Sequence, residues 1–342
     1  MRRVAKVLLG TGVAALLATG FIATPAGAAA PVASASACSK ATNIEAIVDD
    51  SISMEFTDAS RLRVQAMNLL IGTLGKSTRL GAVEFGSGGF ENNPPPANTV
   101  FPPEPVGPNA TAMRNALDQA IHADNGATDY NGAFAKSDAD NPSADARIFL
   151  TDGGHIVGAY NEAHLVHRVP TYVVGFGGVA AGEDQARLQK IASDTGGRYF
   201  PLEDSAQLQA VMNTIEAALT CQTPPRQFID QLAQGQSKTH SVAIGAASKA
   251  VQITLTWTSP LDKFKLSKLK LSNKGHLLAI AGRPGKKPGK LKVSRKTSST
   301  FTVLTVTHLH KGQLSFAVRA AKVGSGEPKV SLITQVSQSS HR

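Results

Sequence analysis

The chain has 342 residues, 5% of them aromatic, and a formal net charge of +10. That length suits a removable leader followed by two domains, each able to bury its own core. After the N-terminal segment no stretch is apolar enough to cross a bilayer, and export together with few stacking aromatics argues against nucleic acid as the partner of the positive charge. The charge is also unevenly placed. Residues 38–221 hold 12 Lys and Arg against 22 Asp and Glu, whereas residues 222–342 hold 20 against 3. An acidic half followed by a basic half marks a domain boundary and predicts different partners for each.

Residues 1–28 read as a signal peptide. Arg2, Arg3 and Lys6 open it, a short apolar run over 7–23 follows, and small residues at Ala26, Gly27 and Ala28 offer a cleavage site. Gly10, Thr11, Gly12, Thr19 and Gly20 interrupt the run, which disfavours a permanent anchor. A secreted or cell-surface location is therefore expected. Residues 29–40 are rich in Ala, Ser and Pro and read as a flexible lead-in. Outside the cell the two cysteines, Cys38 and Cys221, are expected to form a disulfide. The alternative is a lipidated Cys38 following Ala35, Ser36 and Ala37.

From 41 to 221 strand and helix patterns alternate. Strands are expected at 44–48, 80–85, 147–151, 171–176 and 198–201, and helices at 58–74, 112–121, 184–194 and 205–219. The Pro-rich stretch 92–108 reads as a long exposed loop with a short edge strand at 99–101. This alternation implies a doubly wound, mostly parallel α/β sheet. After Cys221 the helical spacing vanishes. A linker over 222–236 is expected, and then an all-β sandwich over 237–342, with short strands at 241–244, 251–257, 269–271, 277–281, 291–293, 301–307, 314–318 and 330–336.

The residues with the clearest chemistry lie where the first strand and the strand at 147–151 end. The first runs into Asp49, Asp50, Ser51, Ile52 and Ser53, and the strand at 147–151 ends at Asp152 and Gly153. Parallel α/β sheets hold ligands beyond the carboxyl ends of their strands. If these strands are neighbours, Asp49 and Asp152 converge, Ser51 and Ser53 turn their hydroxyls to the same side, and Thr128 opens a helix on the same rim. Two carboxylates and three hydroxyls form an all-oxygen donor set. It suits Mg²⁺, Mn²⁺ or Ca²⁺ better than Zn²⁺ or copper. Neutral hydroxyl ligands would leave such an ion drawn to an outside carboxylate. Asp50, out of register with Asp49, reads as a solvated rim residue.

Asp49-x-Ser51-x-Ser53, Thr128, and Thr151 with Asp152 and Gly153 resemble the metal-ion-dependent adhesion site of von Willebrand factor type A domains. The strands at 80–85 and 169–177 and the segment 188–197 are similar to the same family in order. The resemblance covers roughly residues 42–220 and implies a Rossmann-like α/β fold. It implies that Ser51, Ser53 and Thr128 touch the metal, that Asp49 and Asp152 act directly or through water, and that a Glu or Asp of a protein ligand completes the shell. Cysteines just outside the domain are frequent in the family, in keeping with a Cys38–Cys221 bridge. Ile52 stands where a small residue is usual.

The remaining candidates are weaker. His164 and His167 at helical spacing lack further zinc ligands, as do His308 and His310 on one face of an expected strand. Gly175 to Gly178 lack the rest of a dinucleotide fingerprint. No acid/base or nucleophile constellation is present, so catalysis is not expected. In the basic half, Lys263, Lys265, Lys268 and Lys270 alternate with Phe264, Leu266, Leu269 and Leu271, and Lys286, Lys287, Lys290 and Lys292 follow. Period-two alternation puts these lysines on one sheet face. There they either protect the sheet from edge-to-edge pairing or attract an anionic cell-wall polymer or glycan. A third option is that the acidic and basic halves dock on each other. The expected function is extracellular, cation-dependent protein binding or adhesion. The alternative is a secreted envelope-targeting protein whose basic sandwich binds while the α/β domain is scaffolding.

Overall fold

The computed structural model describes residues 40–86, 96–123, 126–161, 169–176, 183–202, 207–222, 225–280 and 289–339. The expected leader, Cys38, His164, His167, Lys286 and Lys287 lie outside them. The chain divides into Met1–Cys38 and one compact unit, Ser39–Arg342, to which all described residues belong.

The acidic half is an α/β layer. Its strands are β1 (Asn43–Asp49), β2 (Arg79–Phe85), β3 (Ala97–Pro105), β4 (Ala146–Thr151), β5 (Thr171–Phe176) and β6 (Arg198–Leu202). Its helices are α1 (Met54–Thr57), α2 (Leu62–Thr73), α3 (Val106–Ala120), α4 (Tyr130–Asp140), α5 (Glu183–Thr195) and α6 (Leu208–Leu219). The strands order as β3-β2-β1-β4-β5-β6, parallel except for β3. Alternate residues serve opposite faces, as a pleated strand requires. Ile44, Ala46 and Val48 join a core with α2, α3 and α6, including Met67, Leu117 and Met212. Ile47, Phe149 and Val173 join another with Tyr130 and Phe134 of α4 and Leu188 and Ile191 of α5. The strand order changes direction between β1 and β4, and this creates a crevice at their carboxyl ends.

Two of the departures from expectation have a clear physical cause. The helix expected from 58 begins at Leu62, because both Asp58 oxygens accept backbone N–H bonds, from Leu62 at 2.6 Å and Arg63 at 2.9 Å. Within the stretch 92–108 expected to be a loop, of which 92–95 lie outside the described residues, Ala97–Pro105 form the nine-residue β3. Pro102, Pro103 and Pro105 are tolerated because the strand lies at the sheet edge. Pro108 falls in the first turn of α3, where no helical donor is needed.

The basic half is a sandwich of two five-stranded sheets, built from β7 (Arg226–Leu232), β8 (Ser237–Ile244), β9 (Ala250–Trp257), β10 (Lys263–Asn273), β11 (His276–Ile280), β12 (Gly289–Lys290), β13 (Lys292–Thr297), β14 (Phe301–Thr307), β15 (Gly312–Lys322) and β16 (Val330–Ser339). The orders are β12-β11-β10-β15-β8 and β13-β14-β9-β16-β7. Trp257, Phe264, Leu266, Leu304 and Phe316 are in the core between them. The stretch expected to be a linker contains β7, which pairs with β16 along its whole length. His308 and His310 do not share a strand. β14 ends at Thr307, and His308 turns the chain with φ +60°.

α6 joins the halves. Its Gln209 donates to Thr300 (2.9 Å), and its Asn213 donates to Gln335 (3.1 Å) and accepts from Thr254 (3.1 Å). Gln252 donates to Glu216 at 3.2 Å. Leu69 of α2 packs against Phe301 and Val303 of β14. The halves thus dock through amides, hydroxyls and apolar contact, together with the Glu216 carboxyl and the Lys296 ammonium, which donates to the Gly72 carbonyl. Among the described residues the ion pairs lie within one half or the other.

Candidate metal centre

Asp49 is the last residue of β1, and the chain leaves the sheet through a tight turn. The Asp50 N–H still reaches β2, donating to the Phe85 carbonyl at 2.7 Å. The Ser51 N–H donates back to Asp49 Oδ1 at 2.8 Å, so the carboxylate fixes the turn that follows it. Asp49 Oδ2 accepts from Thr151 Oγ1 at 2.6 Å, across the β1–β4 pair. The Ser51 and Ser53 hydroxyls lie 3.1 Å apart, and Ser53 Oγ donates to Asp152 Oδ1 at 2.8 Å. Thr57 Oγ1, one helical turn beyond Ser53, donates to Asp152 Oδ2.

Thr128 arrives from the loop before α4. A Cβ placed on Gly153 would lie 3.3 Å from Thr128 Oγ1 and 3.8 Å from Ser53 Oγ, so both hydroxyls flank the space that Gly153 leaves open. The Ile156 N–H, donating to the Thr128 carbonyl at 3.1 Å, ties this loop to the one after β4. The structure therefore brings together all five residues singled out in the sequence. Asp49, Ser51, Thr128 and Asp152 are buried, while Ser53 is half-buried.

The pocket is negative: among the described residues no Lys or Arg lies within ion-pair distance of Asp49 or Asp152, although the Arg63 charge acts on Asp152 from further off. Burial, with a further contribution from the Asp152 charge, pushes the Asp49 carboxyl up to about 7. Burial also raises Asp152. Arg63 is occupied elsewhere, held between Asp50 (2.9 Å) and Asp58 (3.0 Å) with all three side chains buried. This corrects the reading of Asp50 as a solvated rim residue. Asp50 follows the same parity as Ala46 and Val48 and turns inward to α2, where it also accepts from the Ala123 N–H at 2.7 Å. A cation placed among Asp49, Asp152 and the hydroxyls would supply the missing charge, so the donor set fits a hard divalent ion. Among the described residues no set of three or more His, Cys, Asp or Glu side chains is arranged to hold a metal. Here three of the five donors are neutral hydroxyls.

Thr57 and Arg63 were not legible as members of the site. Thr57 lies four residues after Ser53, the spacing of one helix face, and that was its only signal.

Of the basic candidates, Lys263, Lys265, Lys268 and Lys270 are exposed along β10, and Lys292 is exposed on β13. Lys290 belongs to β12. Cys221 directly follows the Thr220 cap of α6, with φ +55°.

No protein-family model and no curated protein sequence matches the chain. Solved structures similar to it include a von Willebrand factor type A protein from Catenulispora acidiphila, with TM-score 0.39, 19% identity and coverage of 86% of this chain and 62% of that one. Another is proximal thread matrix protein 1 from the mussel byssus with a zinc-occupied MIDAS motif, with TM-score 0.39, 17% identity and coverage of 56% and 50%. A third is the pilus adhesin SpaC from Lactobacillus rhamnosus GG in its open conformation, with TM-score 0.43, 11% identity and coverage of 86% and 43%. The chain spans less than two thirds of the length of each.

Proposed function

We propose that the acidic half is a von Willebrand factor type A domain. Its adhesion site, formed by Asp49, Ser51, Ser53, Thr128 and Asp152, holds one divalent cation, Mg²⁺ in the first instance and Mn²⁺ or Ca²⁺ as alternatives. The protein acts outside the cell as a cation-dependent protein-binding or adhesion module, not as an enzyme. A Cys38–Cys221 disulfide ties together the two ends of the domain in sequence. The observation that carries this reading is the convergence of two buried carboxylates and three hydroxyls, drawn from three loops, at the carboxyl ends of β1 and β4.

A bound ion supplies an electrophilic position for an incoming carboxylate. The chain does the rest. Asp49 fixes the Ser51 turn, Thr57 and Ser53 orient Asp152 through both its oxygens, and Gly153 keeps the space beside Thr128 free of a side chain.

Isothermal titration and thermal unfolding with Mg²⁺, Mn²⁺ and Ca²⁺ test the reading. The parent should give heat with at least one ion, and its Tm should rise as the ion saturates it. Asp152→Asn should lose both responses while unfolding without ion at least as high as the parent, because one of two mutually repelling carboxylates is gone. A parent silent to all three ions, or a variant as responsive as the parent, rejects the metal site. The exposed lysines of β10 favour a second reading, attraction of an anionic polymer to the basic half. Binding by that route should fall steeply between low and moderate salt and ignore chelator; binding at the adhesion site should do the reverse.

A further inference from the structure

Large apolar side chains scattered singly over a surface are ordinary, but here they are concentrated. Among the described residues six large hydrophobic side chains are exposed, and three of them surround the candidate metal centre. Ile52, 57% exposed, stands between Ser51 and Ser53. Phe56, 81% exposed, donates its N–H to the Ser53 carbonyl at 3.0 Å and adjoins Thr57. Ile156, 58% exposed, is the residue bonded to the Thr128 carbonyl. Each is fixed by backbone to a residue of the site. Leaving this surface in water is unfavourable by ~25 cal/mol per Å², a cost that a partner covering it would recover.

The charges around the site point the same way. Residues 49–60, 126–132 and 151–161 contain no Lys or Arg. The one histidine there, His155, has a buried side chain. A polyanionic polymer or sulfated glycan would meet no cationic side chain carried by these loops, and Arg187, which lies over the Tyr160 ring, is already paired with Asp184 at 2.9 Å. A single carboxylate with apolar neighbours would find a complement for both its parts.

We infer that the ligand is a protein segment in which one Asp or Glu is flanked by aliphatic or aromatic side chains. The carboxylate enters between Ser53 and Thr128, and its flanks cover Ile52, Phe56 and Ile156. This rests on the metal-site reading above and adds the class of partner.

Panning a phage-displayed random dodecapeptide library on the full chain in Mg²⁺, with elution by EDTA, tests it. The enriched peptides should share an acidic residue with a leucine, isoleucine, phenylalanine or tryptophan within two positions. A synthetic copy should bind a Phe56→Ser/Ile156→Ser variant about tenfold more weakly or worse. That variant should keep the parent's Tm and Mg²⁺ titration, since both positions are exposed. Enriched acidic peptides without apolar neighbours would overturn the inference while leaving the metal site standing, as would equal binding to the variant or the absence of any enriched sequence. A parent that fails to bind any of the three ions would remove the metal site and the inference together.

Discussion

Arg63 links Asp50, the neighbour of the site's Asp49, to Asp58 ahead of α2. Its guanidinium is enclosed with Asp50 and Asp58, and Asp58 also accepts the first two backbone N–H groups of α2. Removing one partner of such a buried group leaves uncompensated charge, at about 3–5 kcal/mol. Arg63→Met should therefore lose about that much in urea unfolding, and adding Asp50→Asn and Asp58→Asn should restore a large part of it. A loss no greater than ~0.5 kcal/mol, as for an ordinary surface change, would show the cluster to be dispensable. The metal-type residues were legible because a carboxylate or hydroxyl just past a buried strand has few other uses. The Arg63 cluster was not. Asp50 borders Asp49 in sequence, and period two alone turns it away from Asp49, to a side that reads as solvent. In a sheet covered by helices on both faces, the opposite side of a strand is another interior.

Among the elements, β10 shows how a pattern can be right while its register changes. Phe264 and Leu266 are buried at even positions, Leu269 and Leu271 at odd ones, and the lysines between them stay exposed. Strict alternation cannot do this. The strand inserts a bulge, the pairing to β15 shifting between Ser267 and Lys270, with Lys268 at φ +53°. A non-glycine residue there is strained, so Lys268→Gly should raise stability by about 0.5–1 kcal/mol, the strain relieved being partly offset by glycine's backbone entropy. An unchanged or lowered denaturation midpoint would count against a strained bulge. β7 was missed for a different reason. Only Asp230 and Leu232 are fully buried, Phe228 is half-buried against the core and its neighbour Ile229 is exposed, so the apolar residues of the strand do not alternate and do not stand out. β3 was masked by prolines that only an edge position permits.

At the scale of the molecule, the seam under α6 holds a buried acid. Burial pushes the Glu216 carboxyl up to about 8 from an ordinary 4.5, so it keeps its proton in the folded protein at neutral pH. The folded state then binds more protons than the unfolded one between those values. Its contribution to stability is complete below about 4.5 and is lost as pH rises through about 8. Glu216→Gln should flatten the fall in Tm between pH 5 and 8.5 and gain most over the parent at the alkaline end. Glu45, also raised to about 8 by burial, should leave part of the slope in place. A variant whose profile runs parallel to the parent's would show that Glu216 does not titrate in this range. The location of this seam could not be read from composition, since the contrast of acidic and basic halves points to docking by opposite charge where the structure uses hydrogen bonds among amides, hydroxyls and the Glu216 carboxyl.

The pairing of β7 with β16 sets how the sandwich would answer a mechanical load. The two strands run antiparallel, with Arg226, where the chain enters, opposite Val336, close to where β16 ends. A tension applied at those two points would strain the hydrogen bonds one rung at a time, as a zip opens, and not all together, as in sliding. The sandwich would then yield at modest force from this edge and act as a compliant spring in series with the α/β layer.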